Sequence, residues 1–235
     1  MTSANQPPHL IPSLYLAGYL DQFEDLVRSY GARPRNLRKG ELFTQRGVIN
    51  NTAYFITSGI MQLLLGHDQG EKALSLFGPG TIFPIGVEEH KFLIEYEMIL
   101  EGFSDVEALA LPYPTLKRIV QEHGDFAGEL MRENCDFIGY TFFDTINQTF
   151  EPCLARICDI LYLYHTKVSP TGPDVPMTQA ELARVAGASR AQMERSIRLL
   201  RETGAIETSR GHVRIASMDA LLENCTLSIR TSAGR

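Results

Sequence analysis

Cysteine is scarce in this chain and widely scattered. Cys135, Cys153, Cys158 and Cys225 make no CxxC pair and no dense framework. That excludes a disulfide-stapled scaffold and leaves no spacing for a structural zinc site. Cys153 and Cys158 can at most approach each other across one helix, so buried free thiols in a reducing cytoplasm are expected. Long apolar runs are missing too. "HLIPSLYLAGYL" is broken by Pro12 and follows no Lys or Arg, so it fits neither a signal peptide nor a membrane span. The HxH pair of a cupin-type metalloenzyme is absent. His67 and His90 stand alone, and "EEH" at 88 to 90 reads as a solvated loop. No enzyme, cofactor or metal site is therefore expected.

Positive charge is short overall, with 22 Lys and Arg against 28 Asp and Glu and a net charge of -6. It is not evenly short. Residues 151 to 235 carry 11 basic against 9 acidic side chains, net +2, whereas residues 1 to 150 carry 11 against 19, net -8. Only the second part suits a polyanion. With 235 residues, 44% of them apolar, the chain can build one large or two ordinary domains.

What is present comes in blocks. After a proline-bearing start and a short helical piece around Asp21 to Tyr30, Gly40, Gly47, Gly59, Gly70 and Gly80 fall 7 to 12 residues apart. Between them stand "AYFIT", "IMQLLL" and "KALSLF", and "HDQG" and "GPG" mark turns. Short strands at that spacing predict an antiparallel barrel or sandwich ending near Pro112. A proline-free helix is then predicted from about Asp125 to Gln148. Its Ala127, Met131, Asn134, Ile138, Thr141, Thr145 and Gln148 alternate by four and three, which suits close approach of a partner helix. A bulkier stripe of Phe126, Leu130, Phe137 and Tyr140 marks a second face. Periodicity leaves open whether the helix packs against a second subunit or lies wholly inside its own domain. Pro152 opens a further helix, and "SPTGPD" reads as a connector.

The basic side chains gather in "MTQAELARVAGASRAQMERSIRLLRETGAIETSRGHVRIAS". Thr178 and Glu181 form a capping box, Ala186-Gly187-Ala188 a tight turn, and Ser189 caps a second helix to about Glu202. Two helices so joined make a helix-turn-helix, and "IETSRGHVRIA" adds a wing around Arg210-Gly211. Ser189, Arg190, Gln192 and Arg195 lie on the first turns of the second helix. Arginine's fork matches guanine and glutamine's amide matches adenine. Thr178, Gln179, Ser209 and Arg210 suit phosphates. Leu182, Val185, Met193, Ile197 and Leu200 supply the buried face. The competing reading is a solvated helix face, with Arg190 merely pairing Glu194 at i,i+4.

At this point the chain resembles the CRP/FNR superfamily of transcription regulators, over residues 37 to 223. The resemblance rests on "KGE" at 39 to 41, Gly47, "TSG" at 57 to 59, "DQGEK" at 68 to 72, "GPGTIF" at 78 to 83, and Ser189-Arg190 with Arg195. It implies an α+β protein with an N-terminal double-stranded β-roll, a long dimerisation helix and a C-terminal winged helix-turn-helix. The expected divisions are an extension over 1–36, the roll over 37–115, the helix region over 116–149 and the DNA-binding domain over 150–235. It also implies a cytoplasmic homodimer on double-stranded DNA at a near-palindromic site, RNA polymerase as a partner if it activates, and no membrane. The dimer seam then comprises Met131, Asn134, Ile138, Thr141 and Thr145.

The departures from the family are informative. Where cyclic-nucleotide binders carry Gly-Glu-Leu, this chain has Pro84-Ile85-Gly86, and where they carry Arg-Ser it has Ile94-Glu95. A glutamate repels a phosphodiester. No N-terminal cysteine cluster supports an iron–sulfur sensor. Ala191 stands where many relatives carry a cytosine-reading glutamate, so the DNA target should differ at that base pair. The expected effector is a small, largely apolar or aromatic molecule lined by Phe83, Ile85, Tyr96, Met98, Phe137, Thr141 and Phe142. The alternative is a haem or thiol sensor using His90 or the cysteines.

Overall fold

The computed structural model describes residues 13–44, 50–68, 70–85, 97–169 and 172–233. The chain divides into two compact units, one spanning Leu14–Thr141 and the other built on Phe142–Arg235.

The first unit is a pair of four-stranded sheets. One takes β1 (Tyr15–Leu16), β4 (Met61–His67), β5 (Gly70–Phe77) and β7 (Glu97–Gly102) in the order β1-β5-β4-β7. The other takes β2 (Arg33–Leu37), β3 (Thr52–Ser58), β6 (Thr81–Phe83) and β8 (Val106–Pro112) in the order β2-β8-β3-β6. Strand β3, "TAYFITS", shows why its apolar run does not alternate. Tyr54 and Ile56 enter the core between the sheets, with Met61, Leu63, Phe77, Leu100 and Val106. Ala53 and Phe55 face the other way, into a second core with Leu109, Leu111, Leu116, Ile119, Phe126 and Leu130. A strand buried on both faces loses the period-two signal. The β3–β4 turn needs its glycine. Gly59 has φ +79, and a Cβ there would stand 1.9 Å from the Asp105 carbonyl oxygen.

The second core is closed by α1 (Glu24–Ser29), which follows a 3-10 turn at Asp21–Phe23, by α2 (Tyr113–Glu122), and by the start of α3 (Gly124–Phe150). Helix α3 runs slightly beyond its predicted bounds at both ends and contributes residues to both units. Phe126, Leu130 and Tyr140 are buried, as the bulky stripe requires.

Two boundaries differ from the sequence reading. The sheets begin well before residue 37, because β1 pairs in parallel with β5 and β2 pairs with Val106 to Ala110 of β8. "RPRNL" is polar and holds Pro34, which hides its strand character. An edge strand tolerates both features. Helix α2 likewise starts at Tyr113 with Pro114 in its first turn, before the expected start of the helical region at 116.

The second unit holds α4 (Cys153–Lys167), β9 (Asp174–Val175), α5 (Gln179–Ala186), α6 (Arg190–Glu202), β10 (Ile206–Ser209), β11 (His212–Ile215), α7 (Met218–Glu223) and α8 (Leu227–Ala233). Pro152 is the residue before α4, rather than inside it. β9 is a correction, since "SPTGPD" reads as a bare connector. Its last residue opens a two-residue strand against β11, making a three-stranded wing ordered β10-β11-β9. Two residues carry no periodicity to detect.

Candidate functional site

The helix-turn-helix forms where its local chemistry places it. Thr178 accepts from the Glu181 N–H at 3.1 Å, and Glu181 accepts from the Thr178 N–H at 2.7 Å. Ser189 and Gln192 repeat the arrangement at the start of α6. Each box contributes about 1 kcal/mol by satisfying helix donors that otherwise lack partners. Between the boxes Gly187 adopts φ +58, the left-handed conformation that closes α5. Leu182, Val185, Met193, Ile197 and Leu200 are all buried.

This geometry sorts the expected DNA contacts. The hydroxyls of Thr178 and Ser189 and the side-chain oxygen of Gln192 already serve as caps. Gln192 keeps only its amide donors for a base. Arg195, Gln179 and Arg210 are exposed. Arg190 is exposed as well and pairs with Glu194, Nε to Oε1 at 2.8 Å. The solvated pair is therefore real. A pair this exposed is screened by solvent and holds weakly, so a base edge can displace it. At the wing tip the Ser209 hydroxyl lies 2.6 Å from His212 Nε2, a partner the sequence reading did not weigh.

A polar framework beneath the reading helices was not foreseen. The Gln148 side-chain amide donates to the Ala186 carbonyl at 3.0 Å, holding the turn between α5 and α6 from the end of α3. A Cβ on Gly187 would meet Gln148 Oε1 at 2.6 Å, so a side chain there would push the Gln148 amide aside. Arg156 of α4 donates to the same Gln148 side chain. Asp159, 1% exposed, accepts from the Thr226 N–H at 2.9 Å and hydroxyl at 2.8 Å, and from Asn147 at 3.3 Å. Burial pushes the Asp159 carboxyl up to about 6, while the Thr226 donors pull it down. Burial likewise pushes the Cys158 thiol up to about 12 and raises Cys225, so neither is ionised at neutral pH. All four cysteines are free.

In the first unit, Phe83 stacks on Phe77 with centroids 4.5 Å apart, and Phe137 of α3 meets both rings at 5.5 and 5.8 Å. These rings fill space expected for an effector. Met98 packs half-buried on the same core, whereas Ile85 packs on the other one. Thr141 spends its hydroxyl on the Phe137 carbonyl at 2.8 Å. Phe142 is 66% exposed. Tyr96, Ile94, Glu95, Gly86, Gly47 and His90 lie outside the described residues.

Two polar positions on α3 escaped the sequence reading. Glu133 is 2% exposed and both its oxygens lie 3.3 Å from the Ile82 N–H of β6. Burial raises its carboxyl to about 8, with that one N–H opposing. Asp136 accepts from the Tyr19 hydroxyl at 2.6 Å. Helical spacing puts Glu133 in line with Phe126, Leu130, Phe137 and Tyr140, three residues after Leu130 and four before Phe137, so the bulky stripe itself carried the signal of its burial.

The seam is also redistributed. Met131 is 65% and Ile138 49% exposed, and Cys135 is exposed between them. Further along, Phe142, Thr145, Ile146 and Phe150 are exposed. Asn134 is half-buried and donates to the Leu130 carbonyl at 2.7 Å. The exposed stripe on this side of α3 thus runs through Met131, Cys135, Ile138, Phe142 and Thr145, with Asn134 and Thr141 half-buried beside it.

A β-roll followed by a long helix and a winged helix-turn-helix defines a two-module, DNA-binding class of protein. Residues 155–223 match the family of the Crp-like helix-turn-helix domain. No curated protein matches the chain. Among solved structures, a CRP/FNR-family transcriptional regulator from Eubacterium rectale aligns with TM-score 0.72 and 15% identity, over 88% of this chain and 98% of that one. The c-di-GMP-responsive regulator CLP of Xanthomonas campestris aligns with TM-score 0.70 and 20% identity, over 83% and 100%. FixK2 of Bradyrhizobium japonicum aligns with TM-score 0.69 and 14% identity, over 83% and 98%. The chain has the fold of the CRP/FNR regulators, and its C-terminal module is a Crp-like helix-turn-helix domain. The resemblance read from the sequence is borne out. Among the described residues, no helix is long and apolar enough to cross a membrane.

Proposed function

We propose that this protein is a transcription regulator rather than an enzyme, binding DNA as a homodimer and responding to a small organic effector held in the β-roll. The observation that carries this reading is the α5–α6 pair. Two capping boxes and a left-handed Gly187 fix a helix that presents Arg190 and Arg195 to solvent beside a wing bearing Arg210. Base edges are read by Arg195, by Arg190 after release from Glu194, and by the amide donors of Gln192. Gln179 and Arg210 contact phosphates. Thr178, Ser189 and Ser209 hold these groups in place.

Dimerisation through α3 is supported by exposure. Of the seven large hydrophobic side chains exposed among the described residues, five lie on α3: Met131, Ile138, Phe142, Ile146 and Phe150. Their spacing is that of a helix seam, and a second copy of α3 covers it most simply. In the roll, an effector touching Phe83, Met98 or Phe137 acts on α3 through Phe137 and the nearby Glu133. Selection of bound fragments from random double-stranded DNA tests the reading. An inverted repeat with half-sites about 10 base pairs apart is expected. Failure to enrich any sequence, or enrichment of an asymmetric one, would contradict it.

A further inference from the structure

The inner face of the second sheet carries two cations where an apolar core is the norm. Residues in register across a sheet share a face. Leu37 pairs with Val106, Arg35 with Ala108, and Arg33 with Ala110. On the next strand Tyr54 pairs with Ala110 and Ile56 with Ala108, and Phe83 then pairs with Tyr54. Leu37, Val106, Ala108, Tyr54, Ile56 and Phe83 all belong to the core between the sheets. Arg33 and Arg35 therefore point to the same side as that core, from its outermost strand.

Both arginines are exposed, and among the described residues neither side chain makes a hydrogen bond or ion pair. Arg35 lies close enough to the Tyr54 phenol to oppose the rise that burial gives its pKa. The row Arg33, Ala110, Tyr54, Phe83 thus runs from a cation, over a small side chain, to a phenol and a phenyl ring, across about 14 Å of sheet. Two guanidinium groups on one face, two residues apart, repel each other while unpaired.

We propose that Arg33 and Arg35 form an oxyanion subsite. They hold a carboxylate or phosphoryl group of a small organic effector at the exposed edge of the sheet. The forked donors of arginine match such a group, and both side chains are exposed to receive it. The inference rests on the reading of the roll as an effector domain, and it replaces the purely apolar effector by an amphipathic anion. It also differs from simple protection of an edge strand by charge, which discriminates no anion.

The test is thermal unfolding of the full chain in sodium phosphate and in sodium chloride at equal ionic strength and pH 7. The expected result is a saturable rise in Tm with millimolar phosphate. Arg33→Gln/Arg35→Gln should lose most of that rise, and Arg38→Gln should keep it. A second arm compares 3-phenylpropanoate with 3-phenylpropanamide. Stabilisation by the carboxylate alone supports an organic acid, and stabilisation by phosphate alone assigns the subsite to a phosphoryl group. A rise that survives in the double variant, or no rise with either anion, overturns the proposal. Gel shifts on the selected DNA keep the outcomes distinct. DNA binding retained by the double variant leaves the regulator reading standing whatever the anions do. Loss of DNA binding without any anion effect would instead make β2 a DNA-backbone contact and overturn the subsite.

Discussion

Each compact unit buries a carboxylate against α3 or α4, and the two are treated very differently. Asp159, in the DNA-binding unit, receives two donors from Thr226 and one from Asn147, and burial raises it only to about 6. Glu133, in the roll unit, shares a single long N–H from Ile82 between both oxygens and is raised to about 8. A buried acid with several donors is a fixed strut, ionised at neutral pH. One with a single weak donor stays largely protonated there. The helix-turn-helix unit thus surrounds its buried acid with donors, whereas the roll unit leaves its own nearly without them.

The largest expected effect breaks the strut. Asp159→Ala leaves the Thr226 N–H and hydroxyl buried without their acceptor. It should cost about 3 kcal/mol of unfolding free energy. Chemical denaturation checks it, and an unchanged midpoint would remove Asp159 from the framework. Glu133 gives a comparable effect of opposite sense. Its folded pKa is raised, so the stability it contributes is complete below its unfolded value near 4.5 and is lost as pH rises through about 8. Glu133→Gln should therefore be more stable than the parent at pH 8, by about 2–4 kcal/mol, and indistinguishable near pH 4. A parent whose stability did not fall across that window would contradict the contrast between the two acids. Next in size, Ile138→Asp places like charges at the helix seam and should turn a dimer into a monomer by light scattering at micromolar concentration. A variant that stayed dimeric would move the interface off α3.

The contrast also explains what could be read from sequence. The DNA-binding helices are specified locally. Thr178 with Glu181, Ser189 with Gln192 and the turn glycine sit within three residues of their partners, and the elements form where that chemistry places them. The roll is specified by pairings far apart in the chain. β2 pairs with β8 across some seventy residues, and its arginine-rich, proline-bearing sequence gives no period-two signal. Glu133 lies on the bulky stripe of Phe126, Leu130, Phe137 and Tyr140, so its burial was legible from spacing, but its partner Ile82, some fifty residues away, was not. The same limit applied to the seam. Periodicity named Met131, Asn134, Ile138, Thr141 and Thr145, and spacing alone could not tell that Asn134 and Thr141 are half-buried while Phe142 is exposed.

The central claim is that α6 reads bases through an exposed arginine while the wing only grips the backbone, and Arg195→Ala measures this most directly. In a competition gel shift between the selected site and unrelated DNA, Arg195→Ala should lose about 1–3 kcal/mol of discrimination, concentrated at one base pair per half-site. Arg210→Ala should weaken both DNAs alike and lower the salt slope. If Arg195→Ala discriminated as well as the parent, α6 would not be the helix that reads the groove.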